Sequence, residues 1–520
     1  MDPPAEAAPG PRGAVVTFAL LGAFTQYRPV VYRVYTPPAE AAGSSRTATR
    51  IYTKFGHLAV TYAHLSPRPD AEFHIVLFAP PTLDEELRWV GNKPDLGTYT
   101  EELARKIVEE SRRAVEGAPG GVAAVSLGED AGPAPPLGEA QCAGNRLPCI
   151  YTKPAALTDG ERRWRGHLHL AVVPLVGAFK TAIYREHDDP GHLLECITAS
   201  VVYTLRQITK TLKTRKIHAV LLDTTHGLNL LATAVARAAS TAYPLIAYEW
   251  GVDKLYIYNS DPVTGAAGDL DISYYYQIQD RATTIRTLLA ETATRLKKPH
   301  LLLLEYGLLP YALYTAATQP PTDTKPEIEI TTKPTTQIKE IQYKSKDCDT
   351  YAILNTWLTS LLLELHSHYH DANYTPTCLP NAVCYDLQKI RAALQQTDCA
   401  DPKAALTREI LGPVPRLLWL HELSEFDETK LQYMIQLDDT ARDSADYKAI
   451  CQNLPQDQQG CKCLRPNKIQ HEVRHVVAHA GLTGVMEDMA IILDSHCKPL
   501  YICLAKTPQT LIQKLHSQTP

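Results

Sequence analysis

The chain contains no CxxC pair, which excludes zinc ribbons and thioredoxin-like redox motifs. It has neither a GxGxxG nor a GxxxxGK[ST] run, so an ordinary dinucleotide or nucleoside-triphosphate enzyme is not expected. No uninterrupted apolar stretch reaches the roughly 18 residues of a membrane-spanning helix. Neither charge sign dominates: 52 Lys+Arg stand against 57 Asp+Glu, a net of −5. That excludes a protein basic throughout that coats nucleic acid by charge alone, though not a local basic site. Charged residues are 21% and hydrophobic ones 45%, which excludes wholesale disorder.

Methionine and phenylalanine are scarce, 4 and 7, while tyrosine reaches 27, a balance that fits a hot habitat. Twelve cysteines in 520 residues are too dilute for a secreted disulfide scaffold. A few intracellular pairs, with Cys378/Cys384 or Cys451/Cys461 nearest in sequence, stand against buried free thiols for most of the twelve. The apolar segment Ala14 to Phe24 follows Arg12 as a signal-peptide core would. Asp2 and Glu6 spoil the positive leader, and Thr25-Gln26-Tyr27-Arg28 is no small-residue cleavage site. The segment therefore reads as a buried strand, and the expected location is cytoplasmic.

At roughly 150 residues per domain the length suggests about three globular units. Residues 1–13 read as a disordered tail. Ala14–Leu21, Phe73–Phe78, His167–Pro174, Ile217–Asp223, Leu245–Trp250 and Leu255–Asn259 read as strands. Asp84–Val115, Gly191–Lys213 and Leu228–Ser240 have helical spacing. Such alternation predicts a mostly parallel sheet covered by helices. Residues 116–140 are rich in Gly, Ala and Pro and read as a mobile insertion. Ala282–Ala316 reads as helices, and Pro320–Lys346, rich in Thr, Pro and Lys, as a linker or small extended arm. From Asp347 onward the pattern is helical. The expected division is an α/β unit over 14–277, a helical connector and linker over 278–345, and an all-α unit over 346–520.

The most specific local signal in the first half is Leu221-Leu222-Asp223-Thr224-Thr225-His226-Gly227-Leu228-Asn229. A polar loop follows an apolar strand and precedes helical spacing, which places it at a strand's carboxyl end, where open α/β sheets bind ligands. Thr224 and Thr225 can cap the helix, whose free N–H groups attract anions. Gly227 permits close backbone approach, and His226 and Asn229 offer donors to a phosphate, ribose or base edge. An ordinary capped turn would look the same. The first strand ends similarly, in Gly22-Ala23-Phe24-Thr25-Gln26-Tyr27, and two such loops on one sheet edge could make a single phosphate-binding crevice.

These two loops, together with Val172–Lys180 (VVPLVGAFK) and Ser260–Val263 (SDPV), resemble the CARF sensor domains of CRISPR-associated type III effectors. The resemblance runs over about residues 14–277 and leaves the 116–140 insertion unmatched. It implies a Rossmann-like domain that dimerises and binds a cyclic oligoadenylate, most often cyclic tetraadenylate, across the two-fold axis. The implied contacts are Gly22, Phe24, Thr25 and Gln26 in one loop and Thr224, Thr225, His226, Gly227 and Asn229 in the other.

Near the C-terminus, Asn467 to Ala480 reads NKIQHEVRHVVAHA. Ile469, Val473, Val476 and Ala480 make an apolar stripe, with Asn467 as cap. His471-Glu472-Val473-Arg474-His475 matches the HExxH of zinc proteases, two imidazoles one turn apart with a glutamate as base. No third ligand follows at the spacing of the extended form. Arg474 and His479 instead resemble the R-x4–6-H motif of HEPN ribonucleases, and RHVVAHAG is close to its form in CARF–HEPN effectors. His475 stands where asparagine is often found. RNA can be cut without metal when its own 2′-hydroxyl attacks the neighbouring phosphate; a histidine moves the proton and an arginine holds the developing charge. Five helical positions are roughly 500°, so the two side chains point about 140° apart and flank a groove that a symmetric partner helix would close.

Other features are weaker. His366, His368 and His370 do not share one helix face, so a surface or core role outweighs metal binding. Basic clusters at 210–216 and 295–298 read as solvated faces. Together the resemblances imply a cyclic-oligoadenylate-activated, metal-independent endoribonuclease acting on single-stranded RNA as a homodimer or an assembly of dimers. His479 would be its acid/base, Arg474 its phosphate stabiliser and His475 an assisting group. It would need no cofactor beyond the activator. A zinc protease or a non-catalytic sensor would be the alternatives.

Overall fold

The computed structural model describes residues 13–21, 27–37, 48–81, 89–90, 93–116, 118–130, 146–174, 177–179, 182–186, 190–213, 215–225, 229–260, 271–280, 284–320, 322, 324–333, 339–396, 401–424, 454, 456, 461–464, 489–496 and 498–518. The chain forms two compact units, one of residues 1–282 and 324–353, the other of 283–323 and 354–520. The expected connector over 278–345 is therefore not a separate piece. Its helices Ile285–Leu296, Pro299–Glu305 and Leu309–Thr318 belong to the second unit, and 324–353 return to the first.

The first unit is built on an eleven-stranded sheet. At its centre Ala14–Leu20 pairs in parallel with Ile217–Asp223 on one side and Glu72–Ala79 on the other. Lys254–Ser260 and Arg163–Val172 extend this parallel core outward. All seven residues of Ala14–Leu20 are buried, as are seven of the eight in Glu72–Ala79, and a nearly continuous apolar run, broken here by the buried Thr17 and His74, marks a strand covered on both faces. Antiparallel strands complete both flanks, among them Ile272–Asp280 and Val30–Tyr35 on one side and Cys149–Thr158 on the other. Ala123–Ala124 and Ser126–Glu129 form the sheet's two outermost strands, so part of the segment read as a mobile insertion is sheet.

Two expectations fail here. Leu245–Trp250 is not a strand: one helix runs from Asn229 to Trp250 with Pro244 inside it. Pro244 removes one backbone donor. Ala242, Tyr243, Leu245, Ile246, Ala247 and Trp250 are nevertheless buried, and that apolar burial holds the helix through the defect. Leu230–Trp250 is the one stretch of the described residues long and apolar enough to cross a membrane, and most of it is buried inside the protein. Nor does the strand expected over His167–Pro174 keep its span, for it covers Arg163–Val172. The sheet strand stops at Val172, and Gly177–Phe179 joins a second, five-stranded sheet with Ala182–Glu186, Lys339–Lys346, Glu327–Lys333 and Arg146–Leu147. The supposed linker thus contains an antiparallel hairpin.

The second unit is not all-α. Among its described residues Val383–Asp386, Pro499–Leu504, Met489–Leu493 and Lys462–Leu464 form a four-stranded antiparallel sheet in that order. Met489–Leu493 and Pro499–Leu504 are short apolar runs bounded by turn residues, a strand pattern rather than a helical one. Between them the Asp494 carboxylate accepts hydrogen bonds from the His496 and Lys498 amides at 2.8 and 2.9 Å and fixes the turn. Cys384 and Cys503 face each other across this sheet and are disulfide-bonded, as are Cys378 and Cys463. Cys378 and Cys384, one of the two pairs nearest in sequence, do not join each other, because each sulfur meets a strand distant in sequence. Cys451 lies outside the described residues. His366 and His370 stack at 5.1 Å and His366 Nδ1 lies 2.9 Å from the Tyr385 hydroxyl, a packing role.

Candidate functional site at the carboxyl edge of the main sheet

Strand order reverses between Ala14–Leu20 and Ile217–Asp223. Within the parallel core the strand after Ala14–Leu20 is Glu72–Ala79 on one side, reached after the chain has formed Val30–Tyr35 and Ala48–Thr53 on the opposite flank, and the strand after Ile217–Asp223 is Lys254–Ser260 on the other side. Such a switch point opens a crevice beyond the carboxyl ends of the two strands. Backbone pairing continues one residue past the strand ends, Leu21 N–H donating to Phe78 O at 2.9 Å and Thr224 N–H to Tyr258 O at 3.1 Å. The loops at 22–26 and 224–228 therefore start from adjacent positions, Ala19 lying opposite Asp223 in the ladder.

Asp223 is 1% exposed, and its Oδ1 accepts the Thr225 amide at 3.0 Å. A carboxylate receiving the amide two residues on makes an Asx turn, which bends the chain out of the strand. The Thr224 hydroxyl donates to the Tyr258 carbonyl at 3.1 Å, so it is tied to the neighbouring strand. The helix begins only at Asn229, too far along for Thr224 or Thr225 to cap it. The Thr225 hydroxyl is buried. Beneath the turn Tyr32 and Tyr274 meet edge to face at 5.3 Å. Burial first, and the Asp223 charge second, push both phenols far above their usual pKa, so they stay neutral. The result is a rigid, uncharged floor under one buried anion and a turn that presents backbone.

Of the implied ligand contacts, Thr224, Thr225 and the backbone of Asn229 are placed at this edge. Gly22, Phe24, Thr25, Gln26, His226 and Gly227 lie outside the described residues. Sequence reasoning missed Tyr32 and Tyr274. They come from edgeward strands that pair only in the fold, Ile272 opposite Tyr32, and no local pattern marks them.

Arg474, His475 and His479, with the whole HExxH segment 471–475, also lie outside the described residues. The described strands Lys462–Leu464 and Met489–Leu493 pair antiparallel, Leu464 opposite Ile491.

No curated protein matches the chain. Residues 16–262, a little under half of the sequence, match the family described as CRISPR system endoribonuclease Csx1, CARF domain. The matched stretch runs from the first strand past the end of Lys254–Ser260, and so takes in both strands of the switch point. Residues 16–262 are thus similar to the CARF domain of a CRISPR-associated protein.

Proposed function

We propose that the protein is a cyclic-oligoadenylate-activated endoribonuclease of type III CRISPR defence, working as a homodimer. A CARF domain is a cyclic-oligoadenylate-sensing module. The observation that carries the reading is the match over 16–262 in a chain whose second half contains Arg474-x4-His479. The activator, in this reading, sits at the carboxyl edge of the sheet. Its phosphates meet the Gly22–Gln26 loop and the Thr224–Asn229 turn, where backbone N–H groups and a helix N-terminus favour anions.

Activation brings two Arg474/His479 pairs together at one groove. The ribose 2′-hydroxyl attacks the adjacent phosphorus, one histidine takes its proton, and the 5′-oxygen leaves with a proton supplied by an acid. The products are a 2′,3′-cyclic phosphate and a 5′-hydroxyl. Arg474 neutralises the charge growing on the phosphorane, and His475 orients or assists. No metal is required by this chemistry.

The test incubates the full chain with single-stranded RNA, chelator and cyclic tri-, tetra- or hexaadenylate. Cleavage is expected with one ring size. Arg474→Ala and His479→Ala should each slow it by about 100-fold or more while ligand binding is retained. RNA that survives all three activators would disprove the reading. Two variants indistinguishable from wild type would leave a non-catalytic sensor. Stoichiometric zinc, with a peptide-cleaving activity lost to chelator and to Glu472→Gln, would return the zinc protease.

A further inference from the structure

We propose that His192, Cys196 and Cys348 form a reduction-gated site for a thiophilic divalent cation of the zinc class. His192 and Cys196 lie one turn apart on the helix Pro190–Thr211, with Nε2 and Sγ 3.7 Å apart. Cys348 sits in the three-residue link between the strand Lys339–Lys346 and the helix Thr350–Tyr369 and is disulfide-bonded to Cys196. The three ligand atoms lie within 4.8 Å of one another, and they are the one such grouping of possible metal ligands among the described residues. Both sulfurs are buried, Cys196 at 1% and Cys348 at 4% exposure.

Two thiolates and an imidazole are a zinc donor set, with a fourth position left for solvent. With the disulfide closed the sulfurs carry no thiolate charge, and the set cannot bind. Two small thiols open it: the Cys196–Cys348 bond accepts two electrons and two protons, and the small thiols leave joined as their own disulfide. Metal entry then displaces the two cysteine protons to solvent. The metal's own charge favours that step, because a coordinated thiol is held as thiolate. The backbone already holds the ligands in place. Cys348 is pinned between a strand end and a helix whose Asp349 Oδ1 caps the Tyr351 and Ala352 amides at 2.8 and 3.2 Å. The same helix passes from the first unit, residues 350–353, into the second, residues 354–369.

The probe is cobalt(II), added anaerobically to the full chain before and after phosphine reduction. The expected result is one additional cobalt bound after reduction, with a thiolate charge-transfer band. Cys196→Ser and Cys348→Ser should abolish it. His192→Ala, which keeps the disulfide and so the oxidised fold, should weaken binding by at least about tenfold. Zinc should displace the cobalt. Equal cobalt affinity and spectrum in wild type and His192→Ala would overturn the proposal, as would a band that persists in Cys196→Ser.

Discussion

Asp223 shows how a single side chain sets the candidate site. Its carboxylate is buried, and the Thr225 amide is what it holds. Asp223→Ala strands that amide and is expected to cost about 1–3 kcal/mol and to weaken cyclic oligoadenylate binding. Asp223→Asn keeps an acceptor and should recover most of both. Chemical denaturation with calorimetric titration checks this, and a ligand affinity untouched by the alanine would separate the turn from the site.

Buried histidines give a second residue-scale prediction. His64 and His169 are driven by burial to about 3 and His300 to about 4. Each is satisfied as a neutral ring, His64 Nε2 lying 2.7 Å from the Tyr258 hydroxyl and His300 Nε2 3.0 Å from Asn355 Oδ1. The folded rings resist a proton that the unfolded chain takes up near pH 6.5. Their stability is therefore complete above that pH and is lost as pH falls towards 4, on the order of 2 kcal/mol per ring. Urea unfolding between pH 7 and 4.5 should show the decline, with a smaller slope in His300→Gln. A flat profile would sink the assignment.

At the scale of elements, the central strands were legible because they are buried on both faces. Ile217–Asp223 coincides with its sequence-predicted span, and Ala14–Leu20 and Glu72–Ala79 differ from theirs by a residue or two. Pairing between them rests on fit that no apolar pattern reports. A Cβ on Gly166 would lie 2.1 Å from the Phe73 carbonyl oxygen of the neighbouring strand. Gly166→Ala must push two core strands apart, and a loss at the upper end of about 1–3 kcal/mol is expected. Thermal unfolding within about 0.5 kcal/mol of wild type would contradict that packing. The helix Asn229–Trp250 and the sheet of the second unit were misread for one reason. A proline and a short apolar run are local signals, and burial against a neighbour outweighs the first and completes the second.

For the whole molecule the proposal separates sensing from cutting, and the separation is measurable. Cyclic oligoadenylate should raise the unfolding temperature of the full chain, because a ligand that binds only the folded state stabilises it. The same rise is expected in Arg474→Ala and His479→Ala, whose cleavage is lost. A rise abolished in those variants would mean that the nuclease motif and the sensor are not distinct sites.

The sequence by itself determined the buried strands, the polar turn after Ile217–Asp223 and the Arg474-x4-His479 spacing, because each is a property of consecutive residues. The tertiary structure alone decided which strand ends become neighbours, that Tyr32 and Tyr274 floor the turn, that Cys196 meets Cys348, and that Lys462–Leu464 pairs with Met489–Leu493. These are meetings between residues far apart in the chain. They are settled by the packing of whole layers, and local periodicity carries no record of them.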